Sequence, residues 1–186
     1  MAVTVQNPRR ALRIDADKPP VQGGKSLFTR LFIESSTYLG ISRGQAVHEG
    51  GSLSRVATRL RLATETVTRL TDCEVSFVAF GEAIVTGPLE DDLVAVTWES
   101  LTNAIRHGGA TKVGVDLRAE NGTLSLDVTD NGRWATSTDS ASSGLAGLHD
   151  RAIAWQGRAV VDHGGEVTRV IWRVPLDATG RPLTRG

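Results

Sequence analysis

Three short stretches of the sequence hold residue types that could do chemistry. In Glu99-Ser-Leu-Thr-Asn103 a carboxylate and a carboxamide stand four residues apart. On a helix that spacing puts both on one face, about 6 Å apart along the axis. Hard oxygen donors of this kind suit Mg2+, which takes one or two protein oxygens and fills its shell from phosphates. Asp130-Asn131-Gly132 follows an alternating apolar run. A carboxylate at a strand end can accept a hydrogen bond from an exocyclic amine, and Gly132 would let backbone come close to a flat base. Ser142-Ser143-Gly144-Leu145-Ala146-Gly147 opens a helical pattern, and the free N–H groups and dipole of a helix start favour phosphate. Taken alone, each stretch also has an ordinary explanation: a local polar pair, an Asp-Asn-Gly turn, a capped helix start.

The elements that must position these residues are legible from periodicity. Leu53, Val56, Leu60, Ala63, Val67 and Leu70 recur at spacings of three and four, an apolar stripe on a helix of about five turns. Arg55, Arg59 and Arg69 fall off the stripe. Such a helix either packs on its own domain or pairs with a partner helix. Residues 73–80 alternate as a strand. Residues 89–107 predict a helix, with Glu90, Asp91 and Asp92 in a first turn where the dipole favours acids, Arg106 and His107 in the last, and Gly108-Gly109 ending it. Val113, Val115 and Leu117, then Leu124, Leu126 and Val128, alternate around Asn121-Gly122, a hairpin signal. Residues 130–143 predict a loop, and residues 145–156 a helix stopped by Gly157. Two further strands flank Gly164-Gly165. The order is α-β-α-β-β-loop-α-β-β. It predicts an α/β fold, a two-layer α/β sandwich whose mixed sheet carries helices on one face.

Composition sets the outer limits. The chain has 186 residues, 40% hydrophobic and 23% charged, the proportions of one globular domain with a tail. Pro8, Pro19, Pro20, Gly23 and Gly24 make residues 1–52 an expected loose arm, with one short helix predicted over 26–41 and a helix N-cap at Ser52. The domain is expected over 53–176 and a flexible tail over 177–186. Net charge is zero, with 11 Lys/Arg against 6 Asp/Glu in residues 1–72 and 10 against 15 afterwards. This is far from a nucleic-acid-binding composition. No apolar run of membrane-spanning length occurs, and the first residues lack the order of a signal peptide, so a cytoplasmic location is expected. Cys73 is the single cysteine, which excludes an internal disulfide and a cysteine-built zinc site. Packing is its expected role.

In this order the three stretches resemble the ATP-binding domain of two-component sensor histidine kinases, the GHKL (Bergerat-type) ATPase fold. The subfamily most similar is the one that partners LuxR/NarL-type response regulators, which includes hypoxia and redox sensors. ESLTNAIRHGGATKVGV (99–115) resembles its N box, DVTDNG (127–132) its G1 box, SGLAGLHDRAIAWQGRAVV (143–161) its G2 box and following helix, and VTRVIWRVPL (167–176) its closing strand. The resemblance implies ATP and Mg2+ as cofactors. It implies that Asn103 holds Mg2+ and that Glu99 helps place water or the metal. It gives Asp130, with Gly132, the adenine amino group, and places Thr168 near adenine. Gly144, Leu145 and Gly147 would line the phosphates, with Arg106 and His107 close by.

The sequence departs from the family pattern at Trp134, Ser142 and Val167, each standing where a glycine is usual. The family's phosphoacceptor histidine is also missing from its usual helical setting. His48 lies among glycines, while His107, His149 and His163 lie inside the ATP-binding region. The resemblance therefore implies a kinase-type phosphotransferase domain that acts in trans, on a histidine domain or response regulator of another chain. A homodimer through residues 53–70 is a further expectation. Two alternatives stay open: a degenerate, non-catalytic partner-binding module of the same fold, and an anti-sigma-factor-type serine kinase.

Overall fold

A computed structural model of the chain describes residues 51–133, 139–163 and 167–183, with the side chains of 139–145 outside the description. The helix expected over 26–41, His48, Trp134 and the Gly164-Gly165 turn lie outside the described residues. The elements run β1 (Gly51–Ser52), α1 (Leu53–Leu70), β2 (Glu74–Gly81), β3 (Ile84–Val85), α2 (Gly87–Thr102), a π-helical turn (Asn103–His107), β4 (Lys112–Glu120), β5 (Thr123–Asp130), α3 (Asp139–Ala154), β6 (Arg158–Asp162) and β7 (Thr168–Pro175). Five strands form one sheet in the order β2-β4-β5-β7-β6, and β1 pairs with β3 in a small separate ladder. The β2–β4 pair is parallel and the other pairs of the main sheet are antiparallel. The fold is the mixed-sheet α/β sandwich that the element order predicts.

Alternation along the strands produces the two layers. Val113, Val115 and Leu117 of β4, Leu124, Leu126 and Val128 of β5, and Val170, Trp172 and Val174 of β7 are all buried. They lie at partnered positions along the ladder and form the face that the three helices cover. A strand's period of two sends the intervening residues to the face without helices. Asn121 and Gly122 take φ of +52° and +68° in the β4–β5 turn, the left-handed pair that a two-residue hairpin needs.

The apolar stripe of α1 is consumed in this core: Leu53, Val56, Leu60, Ala63 and Val67 are buried. Leu70 departs from the expected stripe and is exposed. A homodimer through residues 53–70 would therefore have to use the opposite, largely polar side of the helix. The acids at the start of α2 do more than face its dipole. Arg59 of α1 pairs with the buried Glu90 at 2.5 Å. Asp92 receives Arg151 at 2.6 Å and the Trp155 indole N–H at 2.8 Å. Two charged ties thus fix α2 to both neighbouring helices. The Trp172 indole N–H donates to the Leu148 carbonyl at 3.2 Å and docks α3 on β7.

Four local expectations need correction or refinement. Ser52 occupies the N-cap position of α1 as expected, but its side chain makes no capping hydrogen bond. Its hydroxyl meets that of Ser54, while its backbone pairs with Ile84 in the small ladder. The loop expected over 130–143 ends early, because α3 already begins at Asp139; small polar residues there gave no apolar stripe to announce a helix. The Gly157 N–H donates to the Ala152 carbonyl at 2.8 Å and closes the end of α3 as expected, but Gly157 does not take the left-handed conformation there. Gln156 does, at φ +54°, and Gly157 is required because a Cβ there would lie 2.0 Å from the Arg173 carbonyl oxygen. Residues 177–183, expected in a flexible tail, close a turn. Asp177 accepts the N–H groups of Thr179 and Arg181 at 2.8 and 3.0 Å, which hold its carboxyl below the usual range. Gly180 accepts the Ile84 N–H at 2.8 Å, and Leu176 bridges Pro182.

Candidate functional site

The site is built where α2 changes character. Asn103 follows the last α-helical residue, and its N–H donates to both the Glu99 and Ser100 carbonyls. From there the backbone widens. The Gly108 N–H reaches back to the Asn103 carbonyl at 3.0 Å and the Ala110 N–H to Ala104 at 2.9 Å. π-helical turns of this kind concentrate at functional sites. Sequence periodicity missed it, because one widened turn scarcely disturbs a 3.6-residue pattern. Asn103 is buried, and its amide N–H donates to Glu99 Oε1 at 3.3 Å. The two side chains share one helix face as their spacing predicts. Arg106 and His107 are exposed at the end of the turn.

Asp130 closes β5, buried between Val113 of β4 and Thr168 of β7. Its Oδ1 accepts the Gly132 N–H at 2.8 Å. Among the described residues no hydrogen bond to its other oxygen is seen. Burial pushes its carboxyl above the usual range, against the Gly132 N–H and the charge of His163, which both lower it. Thr168 is buried beside it.

Gly108 and Gly132 bring the two halves together. A Cβ on Gly132 would lie 2.8 Å from both Asp130 Oδ1 and the Gly108 carbonyl oxygen. A Cβ on Gly108 would lie 2.7 Å from the Ala104 carbonyl oxygen. The Arg133 N–H donates to Gly108 at 2.8 Å and seals the seam. Asn131, the middle residue of the Asp130-Asn131-Gly132 stretch and given no role of its own there, locks the same corner. Its carbonyl accepts the N–H groups of Thr111 and Lys112 at 3.0 and 2.9 Å, and its amide donates to the Thr111 hydroxyl at 3.0 Å. Cys73, expected to serve packing, is buried, and burial with the Asp130 charge raises its thiol.

The glycine-rich stretch is placed differently from expectation. Gly144, Leu145 and Gly147 lie within α3, five residues or more past its start at Asp139. Amides so far into a helix bond to carbonyls four residues back, so they are not the free N–H groups of a helix start. Gly147 is nevertheless open: a Cβ there meets nothing within 4 Å.

The donor set fits Mg2+ as a partner of phosphate. No group of three or more His, Cys, Asp or Glu side chains that could hold a metal alone occurs among the described residues. Glu99 and Asn103 supply hard oxygens at one spot, the number that Mg2+ takes when phosphates complete its shell.

Comparison with known proteins bears on the fold and on residues 89–178. Residues 89–178 match the family of histidine kinase-, DNA gyrase B- and HSP90-like ATPases. Over 91 residues, 47% of this chain, the sequence is 35% identical to the sensor histidine kinase LiaS of Bacillus subtilis, covering 25% of that protein. Over 98 residues, 50% of this chain, it is 30% identical to the sensor histidine kinase MctS of Rhizobium johnstonii, covering 21% of it. The chain thus matches about a quarter of the length of these relatives. The ATP binding domain of PrrB from Mycobacterium tuberculosis has the same fold, with a TM-score of 0.54 and 22% identity over 72% of this chain and all of that one. The matched region is thus similar to the ATPase domains of histidine kinases and shares their fold.

Proposed function

We propose that this domain is the ATP-binding, catalytic part of a sensor-histidine-kinase-like protein in two-component signalling, working in the cytoplasm on a phosphoacceptor histidine of another chain. The observation that carries this reading is the Gly108–Gly132 seam. It holds a buried carboxylate, Asp130, fixed through Oδ1 by the Gly132 N–H, beside a helix that presents Glu99 and Asn103. Asp130 would take the adenine amino group, with Oδ1 already fixed by Gly132. Thr168 lies at the same rung. Asn103 and Glu99 would hold Mg2+ against the phosphates. Bound there, the metal neutralises charge on the transferred phosphoryl group; the protein's share is positioning and electrostatics. Arg106 would add positive charge at the rim, with His107 beside it in the same turn. The resemblance of residues 99–115 to one subfamily's N box further points to a LuxR/NarL-type regulator as the downstream partner.

Titration with a fluorescent ATP analogue, with and without Mg2+, tests the reading. Saturable binding is expected, abolished by Asp130→Ala and weakened or made Mg2+-independent by Asn103→Ala. A folded wild-type chain that binds no nucleotide sinks it. That result would leave the second reading, a non-catalytic partner-binding module. Trp134, Ser142 and Val167 favour it, as does the placement of Gly144 to Gly147 inside a helix.

A further inference from the structure

The sheet face without helices carries an unusual juxtaposition. β6 and β7 set Arg158 directly opposite Arg173, in one row with Ser125 of β5 and Arg118 of β4. Arg118 pairs with Asp116 at 3.6 Å. Arg158 and Arg173 take part in no ion pair or hydrogen bond among the described residues. Like charges facing each other across a ladder are destabilising, so a pair with no ion partner among the described residues favours an added anion.

The two arginines line an open cleft of about 510 Å3, within the range of small-molecule sites. Asn121, Thr123 and Ser125 line it too and add an amide and two hydroxyls. Glu120 is the one carboxylate in the lining, which therefore stays net positive. Its walls are tied down. Gly157 presses on the Arg173 backbone, and the Leu176 N–H holds the Gly122 carbonyl at 2.8 Å. Ser125 lies on the face opposite Asp130, and Thr123 lies roughly 23 Å along β5 from it. The cleft is therefore separate from the nucleotide site.

We infer that this cleft binds a small ligand bearing a polyvalent oxyanion, a phosphate or a cluster of carboxylates, gripped by Arg158 and Arg173. Planar guanidinium forks match such groups in a bidentate way. The inference does not rest on the nucleotide reading.

Thermal unfolding of the full chain in phosphate, against chloride at matched ionic strength, tests it. A saturable rise in Tm is expected, roughly 3–6 °C at ten times the Kd. The rise disappears in Arg158→Gln and in Arg173→Gln, and it persists in Asn103→Ala. Citrate in parallel separates carboxylate from phosphate as the preferred group. Removing one of two opposed charges should leave Arg158→Gln folded, with a phosphate-free Tm no lower than wild type. If either variant misfolds, a phosphate-dependent shift of the Gly157 amide resonance in the wild-type protein is the second readout. No anion-specific rise in the wild type overturns the inference. So does a rise that survives both glutamine variants, or one lost in Asn103→Ala, which would assign the anion to the nucleotide site.

Discussion

Asp130 carries a conflict between stability and recognition. Burial raises its carboxyl above the unfolded value, so the folded state holds the proton more tightly than the unfolded one. The sign follows from linkage. The penalty is fully present above the raised pKa, and it vanishes as pH falls through that value into the ordinary carboxylate range. Asp130→Asn keeps an acceptor for the Gly132 N–H and drops the charge. The variant should be more stable than wild type at neutral pH without nucleotide, with the difference shrinking toward acid, as denaturant melts over a pH series would show. It should also bind ATP at least tenfold more weakly, a loss of about 1.4 kcal/mol, because an amide N–H then faces the adenine amino group. Asn131→Ala removes three hydrogen bonds at the same corner. Denaturant melts should show a loss of about 1–2 kcal/mol, and nucleotide titration a weaker affinity. The placement of Glu99, Asn103 and Asp130, though not their role, was legible in the sequence from residue type and spacing. The tie made by Asn131 was not, since its partners, Thr111 and Lys112, are some twenty residues away.

At the scale of elements, charged ties and a backbone contact bear the strain. Glu90→Gln leaves Arg59 half-buried against an uncharged partner. Urea unfolding should register a loss of roughly 3 kcal/mol, and Arg59→Met together with Glu90→Leu should recover much of it. Gly157→Ala should prove harsher than a helix-end glycine suggests, by about 3 kcal/mol or more, because its Cβ would enter the Arg173 carbonyl. Helix α3 is the element whose present form conflicts with phosphate binding. If the amides of Gly144 to Gly147 contact phosphates, their helical bonds must open. Hydrogen exchange over 142–147 should then speed up when Mg-ATP is added; unchanged protection would assign the phosphates to other donors. The apolar stripe made α1 readable almost residue by residue. The start of α3 was unreadable because Asp139 to Gly144 offers small polar residues and no stripe.

Over the whole molecule, the sheet's mixed character and its helix-covered face followed from element order, because alternation and turn residues dictate them locally. Strand order did not, because only tertiary packing places β7 between β5 and β6. One feature of that packing governs how the domain can be carried by a longer protein. Ser52, at the beginning of the described fold, pairs with Ile84, and the turn of residues 177–183 bonds to the same Ile84. Entry and exit of the domain therefore share a single corner, at the other end of α2 from Asn103 and roughly 24 Å away from it. A host chain attached there would hold the domain as if by a stalk, at the far end from Glu99 and Asn103. The same closeness permits rewiring: a chain whose ends are joined at this corner and reopened at Asn121-Gly122 should keep the fold and its ATP affinity.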